Sequence, residues 1–297
     1  MNVLVTGSSG MIGSGLVTTL RARGDRVVRL VRGDPRDSDA AQWDPEAAHL
    51  DPKVFDGIDA VVHLAGQSIG ARRWSDTEKR RILGSRTKGT DLLARTLAGL
   101  DHAPSALVSA SAVGFYGARG DEILTEESAP GDDFMAGVCI RWEAATAPAA
   151  AAGMRVAHLR SGVVLSPSGG ALARMLLPFK LGLGGRIGRG TQYMSWITLP
   201  DEVAAIVHVL DSDLVGPVNL TAPNPVTNTE FARTLGAVLR RPTILPTPLL
   251  PLKLRYGSEL VRELLLDSKR ALPTRLDRQF AFTHPTLDLG LRSLLDR

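Results

Sequence analysis

Apolar residues along the first half of the chain fall into short continuous blocks, separated by longer stretches in which polar and apolar positions alternate with helical spacing. The blocks are Val3-Leu4-Val5, Arg26 to Val31, Ile58 to Leu64, Ser105 to Ala110 and Met154 to Arg160, each of strand length. Between them lie an amphipathic segment ending near Gly24, a stretch from Trp74 to Leu100 with Ile82, Leu92, Leu93 and Leu97 on its apolar side, and Phe134 to Ala152, which turns Ala-rich. Strand and helix repeated in this order predict parallel crossovers and a doubly wound sheet. Asp34 to Asp56 is polar and aperiodic, so it reads as a long loop with a small hairpin; Gly120 to Asp133 reads as an acidic surface loop.

The second half changes character. Gly169, Gly170, Gly182, Gly184, Gly185, Gly188 and Gly190 predict a loop-rich, lid-like region. Tyr193 to Ile197 reads as a short strand, Asp201 to Leu210 as a helix, Val218 to Thr221 as a returning strand and Thr229 to Leu239 as an amphipathic helix. A Pro-rich run, Pro242 to Pro251, leads into a helix through Leu266. The expected fold class is α/β, a doubly wound Rossmann-type parallel sheet with a small mixed C-terminal lobe. Residues 1–160 would form a dinucleotide-binding domain and 161–297 a substrate-side lobe, with about 191–221 returning to the core.

The turn after the first strand carries the clearest chemistry. In Gly7-Ser8-Ser9-Gly10-Met11-Ile12-Gly13, Gly7 allows a sharp exit from the strand, Gly10 lets backbone approach a pyrophosphate, and Gly13 allows close helix packing. Free N–H groups and the positive end of the helix dipole then face the phosphates, with Ser9, Met11 and Ile12 in the same turn. The second strand ends at Arg32, where an acidic residue would accept from a ribose 2′-hydroxyl; arginine suits a 2′-phosphate, favouring NADP over NAD. A solvated arginine is the plainer alternative. Small residues Ala65 and Gly66 after Leu64 would let a cofactor lie across the strand ends.

Composition narrows the setting. The 297 residues are 44% hydrophobic, enough for a full core, and carry a formal charge of +4 with arginines spread along the chain, which argues against a nucleic-acid groove. The single cysteine, Cys139, excludes an intrachain disulfide, and no histidine spacing suits a metal, so no metal site is expected. No cleavable leader or membrane-length apolar run is visible, and a cytoplasmic protein, monomer or homodimer, acting on a small molecule is expected.

The motifs Thr6-Gly7-Ser8-Ser9-Gly10-Met11-Ile12-Gly13, His63-Leu64-Ala65-Gly66, Lys88-Gly89-Thr90 and Ser109-x-Ser111 before Phe115-Tyr116-Gly117 resemble the extended short-chain dehydrogenase/reductase superfamily. Cys139-x-x-Trp142-Glu143, Ser195-Trp196-Ile197, Asn219 to Val226 and Leu264 to Pro273 are similar to its atypical branch, labelled nucleoside-diphosphate-sugar epimerases. The resemblance implies NADP (NADPH) over the strand ends and a lobe closing over substrate. It implies that Gly7, Gly10, Ile12 and Gly13 hold the pyrophosphate and Arg32 the 2′-phosphate, while Leu64, Ala65 and Gly66 line the adenine and ribose path. Ser109 would lie near the nicotinamide ribose and Gly162 and Val163 near its ring. Arg86 stands where the superfamily often has asparagine.

The superfamily moves its proton with a tyrosine assisted by a lysine four residues later, and no such pair exists here. Tyr116, Tyr193 and Tyr256 are followed at that distance by Gly120, Ile197 and Leu260. By spacing, the helix position falls to Cys139, with Glu143 one turn on. A carboxylate there raises a thiol's pKa, so Cys139 is the weaker nucleophile candidate. Glu143 is the better acid or base if it sits partly buried in the cleft; Ser111 and Tyr116 could hydrogen-bond a substrate oxygen. Two functions stay open: an NADP-dependent oxidoreductase or epimerase on a small or nucleotide-linked substrate, and a cofactor-binding sensor or structural protein without turnover.

Overall fold

The computed structural model describes every residue except 36, 277, 279 and 297. The first strand, β1 (Asn2–Thr6), is followed by α1 (Met11–Ala22), β2 (Arg26–Val31), β3 (Ala40–Asp44), the two-residue β4 (His49–Leu50) and β5 (Ala60–His63). Then come α2 (Asp76–Ala98), β6 (Ala106–Ala112), β7 (Ile123–Leu124), α3 (Phe134–Ala144), α4 (Ala147–Ala151) and β8 (Arg155–Ser161). Seven strands run parallel in the order β3-β2-β1-β5-β6-β8 and a later β12 (Gly216–Leu220), with β4 antiparallel on β3 at the edge. The chain leaves β1 toward β2 on one side and resumes at β5 on the other, which opens a crevice at the carboxyl ends of the two neighbours.

Alternate side chains of β1 enter opposite layers, as the period of a strand requires. Val3 and Val5 pack with Leu16, Val17 and Leu20 of α1 and with Val203, Ile206 and Val209 of α6 (Leu199–Asp211). Leu4 enters the other layer, with Leu30, Val61, Leu107 and with Leu93 and Leu97 of α2. Both faces of the sheet are thus covered, and each fully buried aliphatic side chain contributes about 1.5–3 kcal/mol.

Beyond β8 the chain forms β9 (Val163–Leu165), α5 (Gly170–Lys180), β10 (Tyr193–Met194), β11 (Trp196–Thr198), β13 (Val226–Thr227), α7 (Asn228–Leu239), α8 (Leu249–Tyr256), α9 (Ser258–Val261), β14 (Arg270–Ala271) and α10 (Leu287–Leu295). Trp196, Phe231, Leu235 and Leu291 centre the core of this lobe. Its strands are short pairs: β9 with β11, β10 with β13, and β14 with β7 from the first half.

Several elements differ from expectation. Gly169 and Gly170 open α5 rather than a loop, because Met175, Leu176 and Phe179 give that segment an apolar face for the second core. The small hairpin expected after β2 is present as β3 and β4, but its first strand also pairs with β2 and extends the central sheet, anchored by buried Trp43. The expected helix through Leu266 is broken at Gly257, whose φ of +88° is left-handed, and ends in a π-helical turn over Arg262–Leu266.

Candidate functional site

Among the described residues, four of the ten α-helices, α2, α3, α6 and α7, start on a side-chain cap. Ser75 accepts from Glu78 N–H at α2, Asp133 from Ala136 N–H at α3, Thr198 from Asp201 N–H at α6, and Thr227 forms a reciprocal capping box with Glu230 at α7. The first helix has no such cap: Gly10 stands at its start, no side chain accepts there, and its first turn holds no acidic residue. Gly7 adopts φ +67°, and a Cβ on it would lie 2.7 Å from the Leu64 carbonyl carbon; one on Gly13 would collide with the Gly7 carbonyl. On Gly10 the same atom would meet only the Gly7 oxygen, at 3.2 Å, and otherwise project into open space. Two glycines pack the turn, and the third leaves a cradle that a dinucleotide pyrophosphate fits.

That cradle opens into a groove of about 820 Å³ lined by Gly7, Ser9, Gly10, Arg32, Leu64, Ala65 and Gly66, together with Lys88 of the Lys88-Gly89-Thr90 motif and with Trp43, Arg80, Arg81 and Ser85, which no motif assigned to the site. Arg81 pairs with Glu78 at 3.8 Å and Lys88 with Glu46 at 2.5 Å, whereas Arg32 is exposed with no carboxylate partner among the described residues. Of the other cofactor candidates, Met11 packs on Gly169 and Gly170, Ile12 joins the core behind the turn, and Ser109 is buried in β6. Arg86 lies behind Gly66, 4.9 Å over the Trp142 ring. Burial pulls its guanidinium down to about 10, and its Nε has no hydrogen-bond partner among the described residues.

The strand ends beneath the groove are tied by His63, which is fully buried. Thr90 donates its hydroxyl proton to the Arg86 carbonyl at 2.7 Å, so at 2.9 Å it accepts from His63 Nε2–H. The His63 Nδ1 then accepts from Thr6 Oγ1 at 2.8 Å, which fixes the neutral tautomer, and Thr6 Oγ1 in turn accepts from the Leu64 and Ala65 N–H groups. Burial lowers the His63 pKa from 6.5 to about 4. Because the folded value lies below the unfolded one, this stability is complete above pH 6.5 and is lost as pH falls toward 4, at a cost of about 3 kcal/mol. Urea unfolding at the two ends of that window should show the loss in the natural protein and not in His63→Gln, whose amide offers one donor and one acceptor; equal slopes would refute the assignment.

Glu143, Ser111, Tyr116 and Cys139 are brought together, but in the packed interior, and none lines the groove or the pocket described below. Both Glu143 oxygens are taken by Arg160, Nε to Oε1 at 2.8 Å and a terminal nitrogen to Oε2 at 2.8 Å, and Ser111 Oγ donates to Oε1 at 2.6 Å. Arg160 also donates to the Tyr116 hydroxyl at 3.1 Å and lies 3.4 Å over the Phe115 ring. Tyr116 donates to Asn219 Oδ1 at 2.7 Å, and Asn219 Nδ2 to the Leu272 carbonyl at 2.9 Å. Burial raises the Tyr116 pKa despite Arg160, and burial followed by Glu143 pushes the Cys139 thiol up to about 12. In place of a free acid in a cleft, Glu143 is the counter-ion of a buried arginine that lies 17 positions away on β8, outside any helix-spacing rule.

A second cavity, about 170 Å³, lies where β8 gives way to β9. Ala112, Val113, Gly162, Val163, Met135, Met175, Ile187 and Leu265 make its walls mainly apolar, and Gln192, Tyr193, Asn228, Glu263, Asp267 and Lys269 bring polar groups to it. Gly162 and Val163, the residues assigned to the nicotinamide end, therefore border it. The polar set went unnoticed in sequence because it is gathered from separate segments; only the motif Leu264 to Pro273 pointed there.

Fold and groove together define a doubly wound dinucleotide-binding protein of the extended type. The chain belongs to the NAD dependent epimerase/dehydratase family, which it matches over residues 3–220. It is 45% identical over 291 residues to epimerase family protein Mb2239 of Mycobacterium bovis, covering 97% of this chain and 96% of that one. The crystal structure of human epimerase family protein SDR39U1 (isoform 2) with NADPH superposes with a TM-score of 0.89 at 35% identity, covering 99% of each chain. A nucleoside-diphosphate sugar epimerase from Corynebacterium glutamicum superposes with a TM-score of 0.82 at 37% identity, covering 99% of this chain and 58% of that one. No helix among the described residues is long and apolar enough to cross a membrane, and no group of three or more His, Cys, Asp or Glu among them could hold a metal ion.

Proposed function

We propose that this protein binds NADPH in the groove and uses it to interconvert a small, largely apolar carbonyl compound and its alcohol in the adjoining pocket. The uncapped α1 and Gly10 would receive the pyrophosphate, Arg32 the 2′-phosphate, and Gly162 and Val163 the nicotinamide end. The bound cofactor would supply or accept hydride. The observation that carries the substrate class is the pocket's size: about 170 Å³ falls below the roughly 300–1,000 Å³ of drug-sized ligand sites, which favours a small molecule over a sugar nucleotide. Its apolar walls favour a compound whose polar character is confined to one end.

Two measurements test this. Calorimetry should show NADPH bound more tightly than NADH by about 1.5–3 kcal/mol, a difference largely erased by Arg32→Ala; equal affinities in the natural protein would remove the 2′-phosphate role. Loss of reduced-nicotinamide absorbance should then appear with small aldehydes or ketones and not with nucleoside-diphosphate sugars. A second reading, cofactor binding without turnover, is favoured by the missing Tyr-x-x-x-Lys pair and the engagement of Glu143; tight NADPH binding with no oxidation across the panel would select it.

A further inference from the structure

The pocket has one cationic side chain among its described lining residues, Lys269, and its backbone is sewn to the wall. The Lys269 N–H donates to the Tyr193 carbonyl at 3.1 Å, and its carbonyl accepts from Ser195 Oγ at 2.9 Å. The Ser195 carbonyl accepts from Val163 N–H at 2.8 Å, so two hydrogen-bond steps join Lys269 to the nicotinamide-end residues. Its Nζ donates to the Glu263 carbonyl at 3.0 Å, which uses one of its three protons and fixes the side chain. The rest of the mechanism so far leaves this group unemployed.

We propose that Lys269 is the acid–base residue of the pocket, donating a proton to the oxygen of a small neutral carbonyl as its carbon is reduced and taking it back in the reverse direction. The inference rests on the oxidoreductase reading above. In the forward step the C=O π bond breaks, hydride with its electron pair from the reduced dinucleotide forms the C–H bond, and an Nζ–H proton forms the O–H bond. The neutral amine left behind recovers its proton from water.

The surroundings suit that role. Asp267 from the same segment, Glu263 from the π-helical turn and Asp133 at the start of α3 face Lys269, and their charges favour its ammonium form, while nearby Cys139 within α3 stays a neutral thiol. Burial outweighs them and lowers its pKa, while burial raises those of Glu263 and Asp267. A lysine held this way gives up its proton closer to neutrality than an exposed one. Carboxylates beside it also disfavour an anionic substrate, which selects a neutral carbonyl over an acid.

The test uses Lys269→Met, Lys269→Arg and Tyr193→Phe, each checked for folding by NADPH affinity. Lys269→Met should lose about 10²-fold or more in kcat on the best small carbonyl, with NADPH affinity within about twofold of the natural protein. Lys269→Arg keeps a charge that does not titrate, so it should lose at least about tenfold and also the fall of kcat at alkaline pH; it decides alone if the methionine variant fails to bind NADPH. Acetic anhydride labelling followed by mass spectrometry should give Lys269 a lower midpoint pH than exposed Lys53. Natural kcat in both Lys269 variants, the loss appearing instead in Tyr193→Phe, or equal labelling midpoints would overturn the role and leave the oxidoreductase reading intact. No turnover by the natural protein on the whole panel would overturn that reading and this role with it.

Discussion

Gly10→Val should abolish measurable NADPH binding, a loss of at least about 10²-fold or 2.7 kcal/mol, in a protein that still folds. The expectation rests on where the added atoms go. A Cβ on Gly10 projects into the groove with only the Gly7 oxygen nearby, at 3.2 Å, so the valine methyls would take the space of the pyrophosphate rather than of the core. The same change at Gly13 would drive a side chain into the Gly7 carbonyl and damage the turn itself, which makes position 10 the informative one. Calorimetry with NADPH and a thermal melt on the same sample decide the matter, and undiminished affinity in a folded Gly10→Val protein would show that the turn only packs.

Glu143→Gln should be a stability variant before it is a kinetic one. Glu143 and Arg160 side chains are 11% and 4% exposed, and removing the carboxylate charge leaves a buried guanidinium without its counter-ion, a class of change that costs about 3–5 kcal/mol. Because Arg160 also stacks on Phe115 and holds Tyr116, the loss should spread to the β8–β12 side of the sheet. Denaturant unfolding should record it, with kcat per folded molecule within a few-fold of the natural protein. Unchanged stability with turnover down about 10²-fold would return Glu143 to the list of proton-transfer groups.

What could be read in advance follows from how local each feature is. The glycine turn and the strands β1, β2, β5, β6 and β8 announce themselves within a dozen residues, because burial on both faces demands continuous apolar blocks and phosphate approach demands glycine. Segment α5 was hidden by the glycine pair at its start, and polar flanks hid not the hairpin of β3 and β4 but its joining to β2; in both, an apolar side chain packing on a distant core decided the structure. The helix spacing that placed Glu143 one turn after Cys139 was sound, yet its chemistry depends on Arg160, which arrives from strand β8. Lys269 stood inside a motif already noticed, but its role needs Tyr193, Ser195 and Glu263 around it, and no window of sequence holds all of them.

The pairing of β7 with β14 bears on how the molecule reaches its native state. Glu126, just after β7, accepts from the Asn219 N–H, from Arg275 N–H and from the Thr274 hydroxyl, the last of these 148 positions away. Contacts of such separation form late, since the entropy of closing a long loop must be met before they stabilise anything. During synthesis the sheet nucleus of β1, β2 and β5 can assemble while the segment around Glu126 still waits for strands not yet made. The nucleotide turn is thus closed by residues near one another in sequence, whereas the wall that Glu126 helps to tie carries the loop-closure cost of separations of 93 to 149 positions.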